Sequence, residues 1–161
     1  MRLAGRAVIA ALCIVAFACR EATTPNSNSV VGGNLVRLTA ASSASEVARG
    51  DPVTFHVILT NEGSAPVTLH FSDSCQINPY IQDQSGKTVL PGGGGWACLT
   101  VLTDLTLVPG KDISRDYIWT GSTEFRSEMP LRPLPAGKYL FSAEVPANET
   151  TLRATVAVTL K

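Results

Sequence analysis

Residues 52–72 place the tightest constraint on what this chain can become. Val53, Phe55, Val57 and Leu59 alternate with Thr54, His56, Ile58 and Thr60. After Asn61-Glu62-Gly63-Ser64-Ala65-Pro66 the alternation resumes, with Val67, Leu69 and Phe71 set against Thr68, His70 and Ser72. Successive side chains of a strand point to opposite faces, so a period of two means one buried face and one wet face. Two strands cannot close a core by themselves. The remaining chain must supply more strands to cover that face.

The pattern continues downstream. Val36, Leu38 and Ala40 alternate with Leu35, Arg37 and Thr39. Residues 77–83 read as a strand, with Pro79 confining it to an edge or a start. Thr88-Val89-Leu90 is a short return after the turn Gln84-Ser85-Gly86-Lys87. Residues 99–108 are apolar and threonine-rich, and residues 113–120, 138–145 and 151–160 alternate again. Arg49-Gly50-Asp51-Pro52, Pro109-Gly110-Lys111-Asp112 and Ala136-Gly137 supply turns between them. Residues 41–51 read as a small polar loop. Residues 121–135 are the least strand-like, because Met129-Pro130 and Arg132-Pro133 exclude a regular helix. Seven to nine short strands without a helix predict an all-β antiparallel sandwich, with a closed barrel as the structural alternative.

Ahead of this domain, residues 1–18 read as a signal peptide. Arg2 and Arg6 precede an apolar run over residues 7–18 that only Cys13 interrupts. That run is shorter than the roughly 20 residues a membrane-spanning helix needs. Ala16-Phe17-Ala18 fits a small-x-small cleavage site, and Cys19 follows directly. The stretch resembles a bacterial lipoprotein leader, which implies lipidation of Cys19; ordinary cleavage leaving a free thiol is the alternative. Residues 19–33 hold few large apolar groups and read as the lipidated cysteine with a flexible tether, leaving residues 34–161 as the domain. Arg20 behind the cysteine, by the same resemblance, implies an exported outer-membrane lipoprotein of the cell envelope, facing the periplasm or the cell surface.

Charge argues against one class of partner. Lysine plus arginine and aspartate plus glutamate number 13 each, with no basic run, so nothing favours nucleic acid. Cys75 and Cys98 remain once the leader and Cys19 are set aside, and two cysteines in an exported domain read as a disulfide. That bond would tie down the run Gly92-Gly93-Gly94-Gly95. The run lacks the Gly-Lys-Ser/Thr ending of a phosphate loop, and no cofactor is expected. It can instead present Trp96 as an exposed contact, with burial of Trp96 in the core as the other reading; Trp119, on an alternating strand, reads as core.

His56 and His70 are the two histidines. In a hairpin pairing Leu59 with Val67 they would sit directly opposite, forming half of a zinc or copper site. If the two strands join different sheets the pair disappears, so no metal is assigned. No Gly-x-Ser-x-Gly motif or spaced carboxylate pair indicates an enzyme.

Several short motifs point to a family. Residues 55–61 and 67–71 resemble the opening strands of the bacterial intracellular proteinase inhibitor (BsuPI-type) immunoglobulin-like domains. Tyr80-Ile81-Gln82-Asp83-Gln84-Ser85-Gly86-Lys87-Thr88-Val89 is similar to their aromatic strand and Asp-x-x-Gly turn. Val108-Pro109-Gly110 and Leu134-Pro135-Ala136-Gly137-Lys138-Tyr139 resemble two later strand entries. The resemblance spans residues 52–145 and implies an immunoglobulin-like fold. It departs at Leu90, where the family commonly has tryptophan, and in the cysteine pair. The expectation is a non-enzymatic envelope lipoprotein whose domain binds another envelope protein through loops around Trp96 and residues 121–135. Gly93, Gly94, Phe125 and Met129 are the other candidate contacts. A proteinase inhibitor acting through a surface loop, and a metal-binding protein using His56 and His70, are the alternatives.

Overall fold

The computed structural model describes residues 27–125 and 132–161. The leader, Cys19 and Met129 lie outside the described residues. Eleven strands follow in order: β1 (Ser27–Val31), β2 (Asn34–Ser42), β3 (Glu46–Val47), β4 (Val53–Asn61), β5 (Val67–Phe71), β6 (Asn78–Gln82), β7 (Thr88–Leu90), β8 (Thr103–Leu107), β9 (Asp112–Trp119), β10 (Gly137–Pro146) and β11 (Thr151–Leu160). They form a four-stranded sheet β1-β2-β4-β9, a five-stranded sheet β3-β11-β10-β6-β7 and a two-stranded ribbon β5-β8. Every pairing is antiparallel except β3 with β11. The fold is an all-β, immunoglobulin-like sandwich. Among the described residues no helix is long and apolar enough to cross a membrane.

Burial follows the alternation. Val53, Phe55, Val57 and Leu59 of β4 are fully buried, as are Phe141, Ala143 and Val145 of β10 facing them from the other sheet. Phe55 stacks on Phe141 at 4.2 Å between ring centroids, and Trp119 lies 6.3 Å from Phe55. Trp119 is completely buried, and its indole N–H donates to the Ser122 carbonyl at 2.7 Å. Tyr139 donates its hydroxyl to the Pro135 carbonyl at 2.7 Å, four residues upstream. This is the tyrosine corner of immunoglobulin-like sandwiches, which fixes how the chain enters a central strand.

Three expectations change. Strands among the described residues number eleven rather than seven to nine, because β1 and the two-residue β3 fall in segments whose composition reads as tether and polar loop. The composition of residues 19–33 predicts a tether, yet pairing is present from Ser27. Gly32 and Gly33, at φ 55° and 81°, make the tight turn that folds β1 back on β2. Two glycines with positive φ between paired segments form the kind of turn that a two-residue hairpin requires. Finally, β4 and β5 do not form a hairpin. β4 pairs with β2 and β9, whereas β5 pairs with β8. Buried Asn61 holds the crossing between layers: its amide donates to the Ala65 carbonyl at 2.8 Å and the Leu107 carbonyl at 3.0 Å, and its Oδ1 accepts the Gly63 N–H at 2.9 Å.

Candidate binding surface

The disulfide is formed. Cys75 and Cys98 lie 5.6 Å apart between Cα atoms and are joined through sulfur. Asp73 sits beside them, but both sulfurs are spent in the bond, so this trio offers no thiolate to a metal. The Asp73 carboxylate instead accepts the Cys75 N–H at 2.8 Å.

The chain beside the bridge is built in three parts. Pro91 to Gly94 forms a turn closed by the Gly94 N–H on the Pro91 carbonyl at 3.0 Å. Gly93 and Gly94, at φ 87° and 86°, adopt a backbone that side-chain-bearing residues avoid. Next, Trp96 folds back on the sandwich. Its indole N–H donates to the Pro79 carbonyl at 2.9 Å, and its ring stacks against Phe125 at 6.5 Å and 15°. It nonetheless remains 37% exposed. Trp96 is thus the outer end of an aromatic chain that continues through Phe125 to Tyr117 and Phe141, and so into the core. Beyond the disulfide, Leu99, Val101 and Leu102 point into solvent, at 73%, 49% and 81% exposure.

Beside Trp96 and Phe125 lies an open cavity of about 810 Å³, walled by Ile77, Leu105, Ile113 and Tyr117. Arg115 and Glu124 border it. The walls come from both sheets and the β5-β8 ribbon, so the cavity marks where the layers part. Cys75, Trp96 and Ala97 of the disulfide segment also line it.

Of the expected contacts, Trp96 and Phe125 are brought together. Gly93 and Gly94 are not part of that wall; Gly94 borders a separate hollow of about 230 Å³ with Tyr80, Glu144 and Arg153. Gly92 is the glycine that lines the aromatic cavity. Met129 lies outside the described residues. The exposure of Leu99, Val101 and Leu102 differs from the expectation for residues 99–108, whose apolar, threonine-rich run reads as strand throughout. A signal was available: residues 88–103 contain no charged side chain.

The histidines are separated by the fold and each faces a carboxylate. His56 Nδ1 donates to Asp116 Oδ1 across the β4–β9 pair at 2.8 Å. His70 Nδ1 donates to Glu149 Oε1 at 2.5 Å, while the His70 N–H donates to Glu149 Oε2 at 3.2 Å. The shared metal half-site is therefore withdrawn: period two places His56 and His70 on wet faces but does not choose their neighbours. The hydrogen bond to Glu149 holds the His70 imidazole above its ordinary value of 6.5; slight burial opposes this, and the charges of Glu149 and Asp104 add to it. The same bond holds Glu149 below its ordinary 4.5. The His70 contribution to stability is fully present below pH 6.5 and fades as pH rises through the raised value. That of Glu149 is fully present above pH 4.5 and fades as pH falls through the lowered value. The latch between β5 and the β10–β11 turn is thus strongest between these limits. An imidazole NMR titration is expected to place His70 above 6.5, and Glu149→Gln to lower it. An unchanged midpoint in the variant would count against the latch.

The sequence model of the BsuPI family, described as an intracellular proteinase inhibitor, matches residues 40–150. That is more than half of the 161 residues. The chain belongs to the BsuPI family. The match is wider at both ends than the stretch the motifs suggested. It includes the disulfide, the aromatic cavity and the exposed leucines of this BsuPI domain. No curated protein matches the chain. Among solved structures, the CARDB domain of the PF1109 protein from Pyrococcus furiosus, in complex with di-metal ions, is similar at 17% identity and a TM-score of 0.48, over 84% of this chain and 95% of that one. The β-glucosidase EmGH1 from Erythrobacter marinus is similar at 12% identity and a TM-score of 0.43, over 86% of this chain but 16% of the enzyme. The alkylpurine DNA glycosylase AlkC of Pseudomonas fluorescens, bound to DNA containing an abasic site analog, is similar at 15% identity and a TM-score of 0.42, over 77% of this chain and 29% of that one. This chain thus spans only a small share of either enzyme.

Proposed function

We propose that the domain works by binding, without chemistry of its own, and that its partner is a proteinase. One observation carries the binding: Leu99, Val101 and Leu102 are exposed on a segment that a disulfide and neighbouring hydrogen bonds hold in place. Large apolar side chains left in water on a fixed backbone are poised for a complementary surface, because ordering them costs little on association. The family description, intracellular proteinase inhibitor, supports a proteinase as that partner. The two His–carboxylate pairs lend no support to catalysis. Among the described residues no hydroxyl or thiol is hydrogen-bonded to either imidazole, so neither has a nucleophile to activate. The purified chain is expected to inhibit at least one member of a serine-proteinase panel at micromolar concentration; no inhibition across the panel would end this reading.

A binding module for another envelope protein is the second reading. It is favoured by the leader-like residues 1–18, by Cys19, and by the Cys75–Cys98 bond, which suits an oxidising compartment rather than the intracellular setting of the family description. In this reading an acyl chain on Cys19 holds the domain at a membrane of the envelope. Intact mass of membrane-extracted protein tests it: an acyl increment on a chain starting at Cys19 supports anchoring, and an unprocessed chain contradicts it.

A further inference from the structure

We propose that the aromatic cavity binds a small amphiphile carrying one carboxylate, its apolar body against Trp96, Tyr117 and Phe125 and its head paired with Arg115. This is a second site, separate from the exposed leucines beside the disulfide, and it holds whatever partner those leucines meet.

One side chain breaks the pattern of the core. β9 is an edge strand, and Ile113, Arg115, Tyr117 and Trp119 alternate along one of its faces. The register sets Arg115 directly across from Val57, which is fully buried. Residues directly opposite in an antiparallel pair project from the same face. An arginine therefore stands on the face that this sandwich otherwise fills with apolar groups. It stays exposed because the cavity opens beside it, and Ile113 and Tyr117 on either side are only half-buried. Val53, Phe55, Val57 and Leu59 of the adjoining strand are, by contrast, sealed.

The cavity has the makeup of a small-molecule site. Its volume of about 810 Å³ lies within the range of such sites, roughly 300–1,000 Å³. The polar atoms of its aromatic wall are already engaged. The Trp96 indole N–H donates to the Pro79 carbonyl at 2.9 Å, and the Tyr117 hydroxyl donates to the Ile77 carbonyl at 3.4 Å. Burial holds the Tyr117 hydroxyl above its ordinary value, so it adds no charge near neutral pH. What the wall offers is ring and alkyl surface, which takes up an apolar body by releasing it from water.

Arg115 is the exception. Its guanidinium donates to the carbonyl of its neighbour Ser114 at 3.1 Å, and among the described residues it forms no ion pair. A guanidinium with donors to spare meets a carboxylate in a two-pronged, charge-assisted contact. Glu124 borders the same cavity, and its negative charge disfavours a head that carries more than one. The chemistry that fits is a monocarboxylate with an apolar tail, of the fatty-acid kind.

The test titrates the full chain with decanoate and with decan-1-ol, which has the same tail without the charge. Calorimetry gives the affinities, and tryptophan fluorescence reports on Trp96 in the cavity wall. The parent is expected to bind decanoate at one site, at least about tenfold more tightly than the alcohol, the ratio expected of a hydrogen bond to a charged group. Arg115→Gln should erase that difference by weakening decanoate alone; Arg115 is exposed, so the variant is expected to keep the parent's melting transition. Ile113→Gln, which puts an amide on the apolar wall, should weaken both ligands. A parent that does not bind decanoate overturns the proposal, and equal affinity for acid and alcohol overturns the role given to Arg115. Decanoate affinity unchanged in Arg115→Gln does the same. If that variant also self-associates, Arg115 is instead an inward charge that guards an edge strand against pairing with another sheet.

Discussion

Replacing Phe55 with alanine is expected to destabilise the domain by about 3–5 kcal/mol, the usual cost of removing a buried phenylalanine. Phe55 of β4 is completely buried and lies stacked on Phe141 of the opposite sheet. Trp119 and Tyr117 come from β9, the strand paired with β4. The ring therefore joins both layers, and its loss leaves a cavity that neither rigid sheet can fill by moving. A domain with about 5–15 kcal/mol of total stability would lose a large part of it. Urea unfolding checks this through a lower midpoint at an unchanged slope. A loss below about 1 kcal/mol would mean that this face is not buried between two sheets.

The second large effect concerns the bridge. Cys98→Ser is expected to cost about 3 kcal/mol of stability, because the bond closes a loop of roughly two dozen residues in the unfolded chain. It should also weaken partner binding by roughly ten- to a hundredfold, through the freedom returned to two or three contact side chains. These effects have separate readouts. Unfolding reports the first, and inhibition measured well below the melting transition reports the second. Cys75→Ser should reproduce both. A stability loss with undiminished inhibition would show that the contact segment does not depend on its tether.

The layers of this fold were largely legible from alternation. Val53 to Leu59, Val67 to Phe71 and Leu152 to Leu160 bury the faces that period two assigns to them. Neighbours were not legible, because alternation fixes which side chain points inward but not which strand lies alongside. That is why His56 and His70 could be imagined opposite each other, although Asn61 carries the chain from one layer to the next. β1 was hidden for a related reason. Its polar composition outweighed Gly32-Gly33, whose backbone geometry makes the turn. The binding surface was half legible. Trp96 stood out as an aromatic beside glycines, and the structure gives it both readings at once: tied to Pro79 and Phe125 on one side, exposed on the other. Leu99, Val101 and Leu102 were obscured because an apolar run inside an all-β chain looks like another buried strand. Only Thr103–Leu107 of that run pairs as β8, and the Cys75–Cys98 bond holds the preceding residues at the surface.

The central claim is that a rigid sandwich presents the disulfide-held segment to a proteinase. Backbone amide NMR of the labelled chain, recorded with and without an inhibited catalytic-site variant of the proteinase it binds, tests this most directly. Shift changes and protection from exchange are predicted to concentrate on residues 96–102 and their base at 73–75, with the β1 and β3 edges unaffected. Perturbations centred on those edges, with residues 96–102 silent, would contradict it.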